Sequence, residues 1–426
     1  MATALSFLEG LTLSLPGDPT KRFEAHCDGN TLVCSTWTAP KPPRVTRKEL
    51  SSESMAKKEL DKAIFRKRKE GFVYLPDSTP TQWGGLLFAA NLGPFDVDLT
   101  GKRLFGSITS ENDLNLITLE LTLGGNFRRD EIAIPQSLDN FIHAMAVGAD
   151  GERGFYYMTR CLDQSSRHFA LVEHHLETGI ARNLLSHQRT SDVNFNPFSV
   201  KPQLDAARQR LLMISADNTL DVLDVRNGQP LCSLTPPLLP CRKIALSPSG
   251  ELVAALLGEH QDNNCLSPNE VCIWNVSNGE LAQRFAIPEI CYMPSLGFSP
   301  DDHTVMLTVG RPCGPGHLGR AYGQGPMGYS VLDGTQVFDL SKRKNDNWWH
   351  ARRCWAFSPN GRCLALGNSK NSDEIELYNA TDFTQIGAIP TQSRNLDKLV
   401  FAADGQRLFA GGEGLVEGWF LGTTGS

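Results

Sequence analysis

The chain has 426 residues, 40% of them hydrophobic and 21% charged, with a formal net charge of −6 at pH 7. That balance excludes a disordered chain, and the charge is too mild to make the whole molecule a polyanion binder. With 38 Gly and 25 Pro supplying turns, and no dominance of helix formers, the composition points to a mainly β fold. The eleven cysteines are odd in number and scattered, with no C-x-x-C pair, which predicts neither a disulfide framework nor a zinc site. They suit a reducing cytoplasm. The first ten residues lack a basic stretch, and no run is long and apolar enough for a transmembrane helix, so the expected location is cytoplasmic with no membrane contact.

In chain order, the first predicted elements are two alternating runs, Arg22–Cys27 and Thr31–Trp37, around Asp28-Gly29-Asn30. An Asp-Gly between alternating runs signals a β-hairpin. The run Pro40–Pro43 is expected to break regular structure before a strand over Arg44–Leu50. Ser51 and Ser52 are placed to cap a helix from Glu53 to Glu70, with Gly71 at its C-terminal end. On that helix Ala56, Leu60, Ala63 and Ile64 fall on one face. Between Lys41 and Lys69 stand eleven Lys or Arg against four Asp or Glu. Such a charge run reads as a solvated face or as a phosphate-contacting one. In the second case the contacts fall to Trp37, Arg44, Arg47, Lys48, Lys57, Lys58, Arg66, Lys67 and Arg68.

This order of elements resembles the WGR domain, a small α+β module. The resemblance rests on Arg22-Phe23, Asp28–Val33, Trp37 and the basic helix ending in Gly71-Phe72. Trp37 is followed by Thr38 and Ala39 rather than Gly-Arg, and a Pro-rich run replaces the Gly-rich turn. The resemblance implies a WGR-like domain over residues 1–76, of a kind that in some relatives contacts nucleic-acid ends.

Residues 77–83 read as a linker, and Gly85–Ala90 as a strand. From there a phrase recurs: Ala245–Leu252, Gly297–His303, Ala356–Arg362 and Phe401–Arg407, with weaker copies at Val97–Gly101 and Val147–Gly151. Each is an apolar strand, a tight polar turn and a second apolar strand. An interval of roughly 43 to 59 residues with four short strands per unit signals radial β-sheet repetition. Six units start near Phe95, Ile142, Phe198, Cys241, Pro294 and Arg352. A seventh, near Leu399, lacks a fourth strand, which the strand near residue 86 is expected to supply. Third strands are read at Leu220–Val225, Val271–Val276, Gln336–Leu340 and Ile375–Asn379. They are similar to the WD40 repeat, with Trp274-Asn275 and Tyr378-Asn379 at its Trp-Asp position. The resemblance implies a seven-bladed β-propeller over residues 84–426.

Function is sought where the repeat is broken. The stretch Arg311–Thr335 reads as a long Gly- and Pro-rich loop carrying Arg311, His317, Arg320, Tyr322 and Tyr329, with a second long loop over Glu259–Asn269. Trp348 and Trp349 form an aromatic anchor if they face solvent. These seven named residues are the expected partner contacts. His175 and Glu177 sit at strand spacing, a solvated pair or half of a metal site. Asp96, Asp98, Asp301 and Asp302 are assigned to turns. No catalytic, cofactor or metal motif is found. The resulting expectation is a non-enzymatic interaction scaffold, whose propeller holds a protein and whose basic module makes a second contact. Two other readings stand beside it: nucleic-acid binding through the WGR-like domain, and an enzyme with a site in the propeller's channel.

Overall fold

The computed structural model describes residues 12–15, 18–70, 72–74, 82–87, 91–109, 114–120, 129–133, 140–161, 166–190, 202–215, 219–237, 241–260, 265–287, 290–291, 295–312, 321–340, 354–367, 374–391, 396, 398–412 and 415–421. The first unit contains β1 (Thr12–Leu15), β2 (Asp18–Asp28), β3 (Thr31–Thr38), β4 (Lys41–Glu49), α1 (Glu53–Lys69) and β5 (Val73–Tyr74). Its sheet has the order β4-β3-β2-β1-β5. Alternation along β2 and β3 turns Phe23, Ala25 and Leu32 to one face, where they close on Leu60, Ala63 and Ile64 of α1. The Oγ of Ser52 accepts the Met55 amide hydrogen at 3.3 Å and caps the helix. Gly71 lies outside the described residues.

The proline run does not interrupt the sheet. β4 runs through Pro42 and Pro43, with a register shift opposite Thr36–Thr38. It is the edge strand, where a missing amide hydrogen breaks no ladder on the open side.

Seven further antiparallel sheets follow among the described residues, each built on four strands; the fourth also carries a short fifth strand, and the last takes its fourth strand from earlier in the chain. Their first strands are Asn91–Val97, Asn140–Val147, Gln203–Leu204, Cys241–Leu246, Leu296–Phe298, Trp355–Phe357 and Lys398–Phe401. Apolar clusters bridge successive sheets: Phe155 and Leu171 meet Leu211 and Met213, and Trp274 and Cys272 meet Leu220 and Leu234. The last sheet returns to the first. Ala403 donates its amide hydrogen to Leu99 O at 2.9 Å, and Arg407 Nη1 donates to Gly101 O at 3.2 Å. The result is a closed, propeller-like ring. β6 (Gln82–Leu87) pairs with Leu415–Phe420 and supplies the last sheet's fourth strand.

The recurring phrase builds the turn between first and second strands. In each sheet an amide hydrogen closes the turn, from Gly101 to Asp98 O, Gly151 to Gly148 O, Arg208 to Asp205 O, Gly250 to Ser247 O, Asp302 to Ser299 O, Gly361 to Ser358 O, and Gly405 to Ala402 O. The donor residue is left-handed in all seven, with φ between 56° and 76°. Glycine fits that conformation without strain. The Ser of the phrase adds a side-chain bond across the same turn. Ser247, Ser299 and Ser358 Oγ accept the amide hydrogens of Leu252, Thr304 and Cys363 at 2.9–3.1 Å.

One strand assignment changes. Gln336–Asp339 is the fourth strand of the fifth sheet, and the third is Ala321–Ser330, within the stretch read as a loop. Its glycines mislead by composition, yet a Cβ on Gly328 would lie 2.0 Å from the Phe338 ring, so the strand needs glycine for close packing.

Candidate functional site

The first strands surround the ring axis, and three sheets send charged or backbone groups to one carboxylate of the first sheet there. Asp96 stands on the first sheet's inner strand. Its Oδ2 accepts the Val147 amide hydrogen at 3.0 Å and a hydrogen bond from Arg208 Nη1. Lys398 Nζ lies 3.3 Å from its Oδ1 and donates to Phe95 O at 2.6 Å. Arg208 also donates to Val147 O at 2.8 Å and Val97 O at 3.1 Å, so it ties the third sheet to the first and second. Burial alone would raise the Asp96 carboxyl, but the Arg208 and Lys398 charges and their hydrogen bonds hold it down at about 2. Arg208 reaches this position from a left-handed turn position that glycine holds in five of the seven sheets.

Beside this clasp is an axial cavity of about 430 Å³, walled by the third to seventh sheets through residues including Gln203, Leu246, Ser295, Phe298, Trp355 and Lys398. Its polar walls are bonded to one another. Trp355 Nε1 donates to Ser295 Oγ at 2.8 Å, and Gln203 Nε2 donates to Ile244 O at 2.9 Å. Among the described residues lining it there is no carboxylate and no histidine. Lys398, the charged residue of that wall, is bonded to Phe95 O and lies beside Asp96.

On one face of the ring, two neighbouring sheets extend into arms. In the fifth sheet the first strand pairs only with Val305–Leu307, and the fourth only with Met327–Tyr329. The two middle strands continue beyond both, to Arg311↔Tyr322 and Pro312↔Ala321. In the fourth sheet the middle strands likewise run on to His260↔Leu266. The predicted loop is thus largely an extended hairpin, with Arg311 and Tyr322 directly opposed near its end. Tyr329 lies back in the sheet, 5% exposed and stacked on Phe285, which removes it from any surface contact. His317, Arg320, Trp348 and Trp349 lie outside the described residues.

The basic residues of the first unit divide between two faces of its sheet. Trp37 is paired with Arg22 across β2–β3 and shares its face with Arg47, opposite the helix. Arg44 and Lys48 lie on the helix side with Lys57, Lys58, Arg66, Lys67 and the Arg68 position. Several of these charges are already matched: Lys48 and Lys62 hold Glu59 at 2.9 and 2.7 Å, and Lys57 holds Glu53 at 2.7 Å. Lys67 pairs with Glu70 at 2.5 Å and lies 4.9 Å from the Phe72 ring centroid. Lys58, Arg66, Arg44 and Arg47 are exposed and have no ion-pair partner among the described residues.

Two sequence assignments are corrected. Asp98 does serve its turn, accepting the Lys102 and Arg103 amide hydrogens at 2.7 and 2.8 Å, but Asp96 belongs to the axial clasp. His175 ends a strand while Glu177 stands in the next turn, 3.6 Å from Arg103, so they share no strand face. The residues that sequence reasoning missed are Asp96, Arg208 and Lys398. One signal was visible: Asp205-Ala-Ala-Arg208 is a copy of the phrase with arginine in the glycine place.

No protein-family model matches the sequence, and no curated protein does. Solved structures do match. Hydrazine synthase of Kuenenia stuttgartiensis aligns with a TM-score of 0.53 and 13% identity, over 76% of this chain and 93% of that chain. At that identity the likeness shows a shared fold alone, a propeller-like assembly of small antiparallel sheets.

Proposed function

We propose that this chain is a non-enzymatic interaction scaffold: a seven-bladed, WD40-like propeller that holds a protein partner through the arms of its fourth and fifth blades. A WGR-like first unit makes a second contact. One observation carries this reading. Two adjacent hairpins leave the ring on the same face and run past the strands that flank them. Neighbouring arms on a rigid ring give a partner a fixed pair of contact points, with little ordering cost on binding. The test is affinity purification from the native cell with both arms cut back, each replaced by a two-residue turn. Loss of the co-purifying proteins with an unchanged melting transition is expected. An unchanged set of partners removes the arms from the reading.

A second reading, nucleic-acid contact by the WGR-like unit, is favoured by the side-by-side Arg22 and Trp37 with Arg47 on the face the helix leaves open. An aromatic ring beside one guanidinium group, with a second further along the same face, suits stacking and phosphate pairing. Arg22→Glu with Arg47→Glu should abolish salt-sensitive DNA binding by the full chain, while Lys58→Glu with Arg66→Glu should weaken it only slightly. A greater loss from the second pair would place the contact on the helix instead. For an enzyme with a channel site, the hydrazine synthase likeness adds only fold.

A further inference from the structure

The arm of the fourth sheet is closed from the side by a short strand, Ile290–Cys291, which pairs antiparallel with the start of Cys265–Asn275. The register sets Cys265 directly opposite Cys291, and Leu266 opposite Ile290. Directly opposed residues of an antiparallel pair have Cα atoms about 4.5–5.5 Å apart, inside the span that a disulfide bridges. Other cysteines of the same ring are differently placed. Cys241, Cys272 and Cys363 are free and buried, and burial pushes their thiols up to about 12, 11 and 11. They stay protonated near neutral pH and react slowly with disulfides.

We propose that Cys265 and Cys291 form a reversible thiol–disulfide couple that latches the fourth-sheet arm to the segment entering the fifth sheet. The oxidant is a small-molecule disulfide of the glutathione class. The thiolate of one cysteine attacks it, forming a mixed disulfide and releasing one reduced thiol. The second cysteine then displaces the other half. Two protein S–H groups become one S–S bond, and one molecule of oxidised glutathione becomes two of reduced glutathione. The latch has a mechanical consequence. The Ile290–Cys291 strand also packs against the fifth sheet's second strand, Thr304–Pro312, and the chain then reaches Ser295–Phe298 in the wall of the axial cavity. Closing the bond fixes the outer end of the fourth-sheet arm to the segment that leads to that wall.

The full chain is incubated with oxidised glutathione or with a reductant, alkylated after unfolding, digested and mapped by mass spectrometry. The expected result is a peptide pair joined through Cys265 and Cys291, lighter by two hydrogens than its parts, in the oxidised sample alone. Cys291→Ser should convert Cys265 from a cross-link into a stable glutathione adduct. Recovery of both cysteines alkylated, or linked to other partners, after oxidation of the unsubstituted chain overturns the proposal, whatever the variant does. The mapping needs no partner protein, so its failure is separate from failure of the scaffold reading.

Discussion

Asp96 concentrates most of the electrostatic risk in the ring. A carboxylate this buried is tolerated because Arg208, Lys398 and the Val147 amide surround it. Its folded value of about 2 lies below the ordinary 3.8, so the stabilisation is complete above 3.8 and fades as pH falls toward 2. The shift is worth on the order of 2 kcal/mol. Asp96→Asn should cost about 3–5 kcal/mol at pH 7 by stranding Arg208, and should flatten the acid limb of the stability profile. Chemical denaturation at pH 7 and across pH 2–4 measures both. Arg208 allows a separate test of its backbone. Arg208→Gly and Arg208→Ala both lose the clasp, but only glycine accepts φ of 56° without strain. The alanine variant should therefore be less stable by about 1 kcal/mol. Equal stabilities would show that the turn carries no strain there.

Among the elements, local chemistry governs the turns, and packing governs the strands. Ser358 lies buried in its turn, and its Oγ accepts the Cys363 amide hydrogen at 2.9 Å. Ser358→Ala leaves that amide without its side-chain acceptor and should cost about 1–3 kcal/mol in thermal or denaturant unfolding. A neutral result would mean that water replaces the hydroxyl. This bond is why the phrase Ser-Pro-x-Gly was legible: residue types and spacing are set within five positions of the chain. The β2–β3 hairpin and the buried face of α1, with Ala56, Leu60, Ala63 and Ile64, were legible for the same local reason. The strand Ala321–Ser330 was not. Its glycines answer to Phe338 packing over them, and the prolines of β4 are tolerated because that strand lies at an edge. Neither neighbour is visible from the local run.

At the scale of the whole molecule, the ring depends on a strand from its far end. β6 covers the open edge of Leu415–Phe420, and Lys398 and Arg407 then grip the first sheet. Removing residues 1–87 exposes that edge, and an uncovered strand edge recruits other chains. Such a truncation should aggregate in analytical ultracentrifugation, whereas removal of residues 1–78 should leave the ring's melting transition intact. A soluble, equally stable ring without β6 would show that closure needs only side-chain contacts. The sequence by itself determined the β-rich repeat, the turn chemistry and the amphipathic helix, because each is encoded over a few neighbouring residues. Only the tertiary structure decided the axial clasp and the arms. Asp96 and Arg208 are 112 residues apart, and Asp96 and Lys398 are 302 apart, so no local pattern records that they meet. The division of the basic residues between two sheet faces has the same origin, because the register of β4 on β3 sets which charges share a face with Trp37.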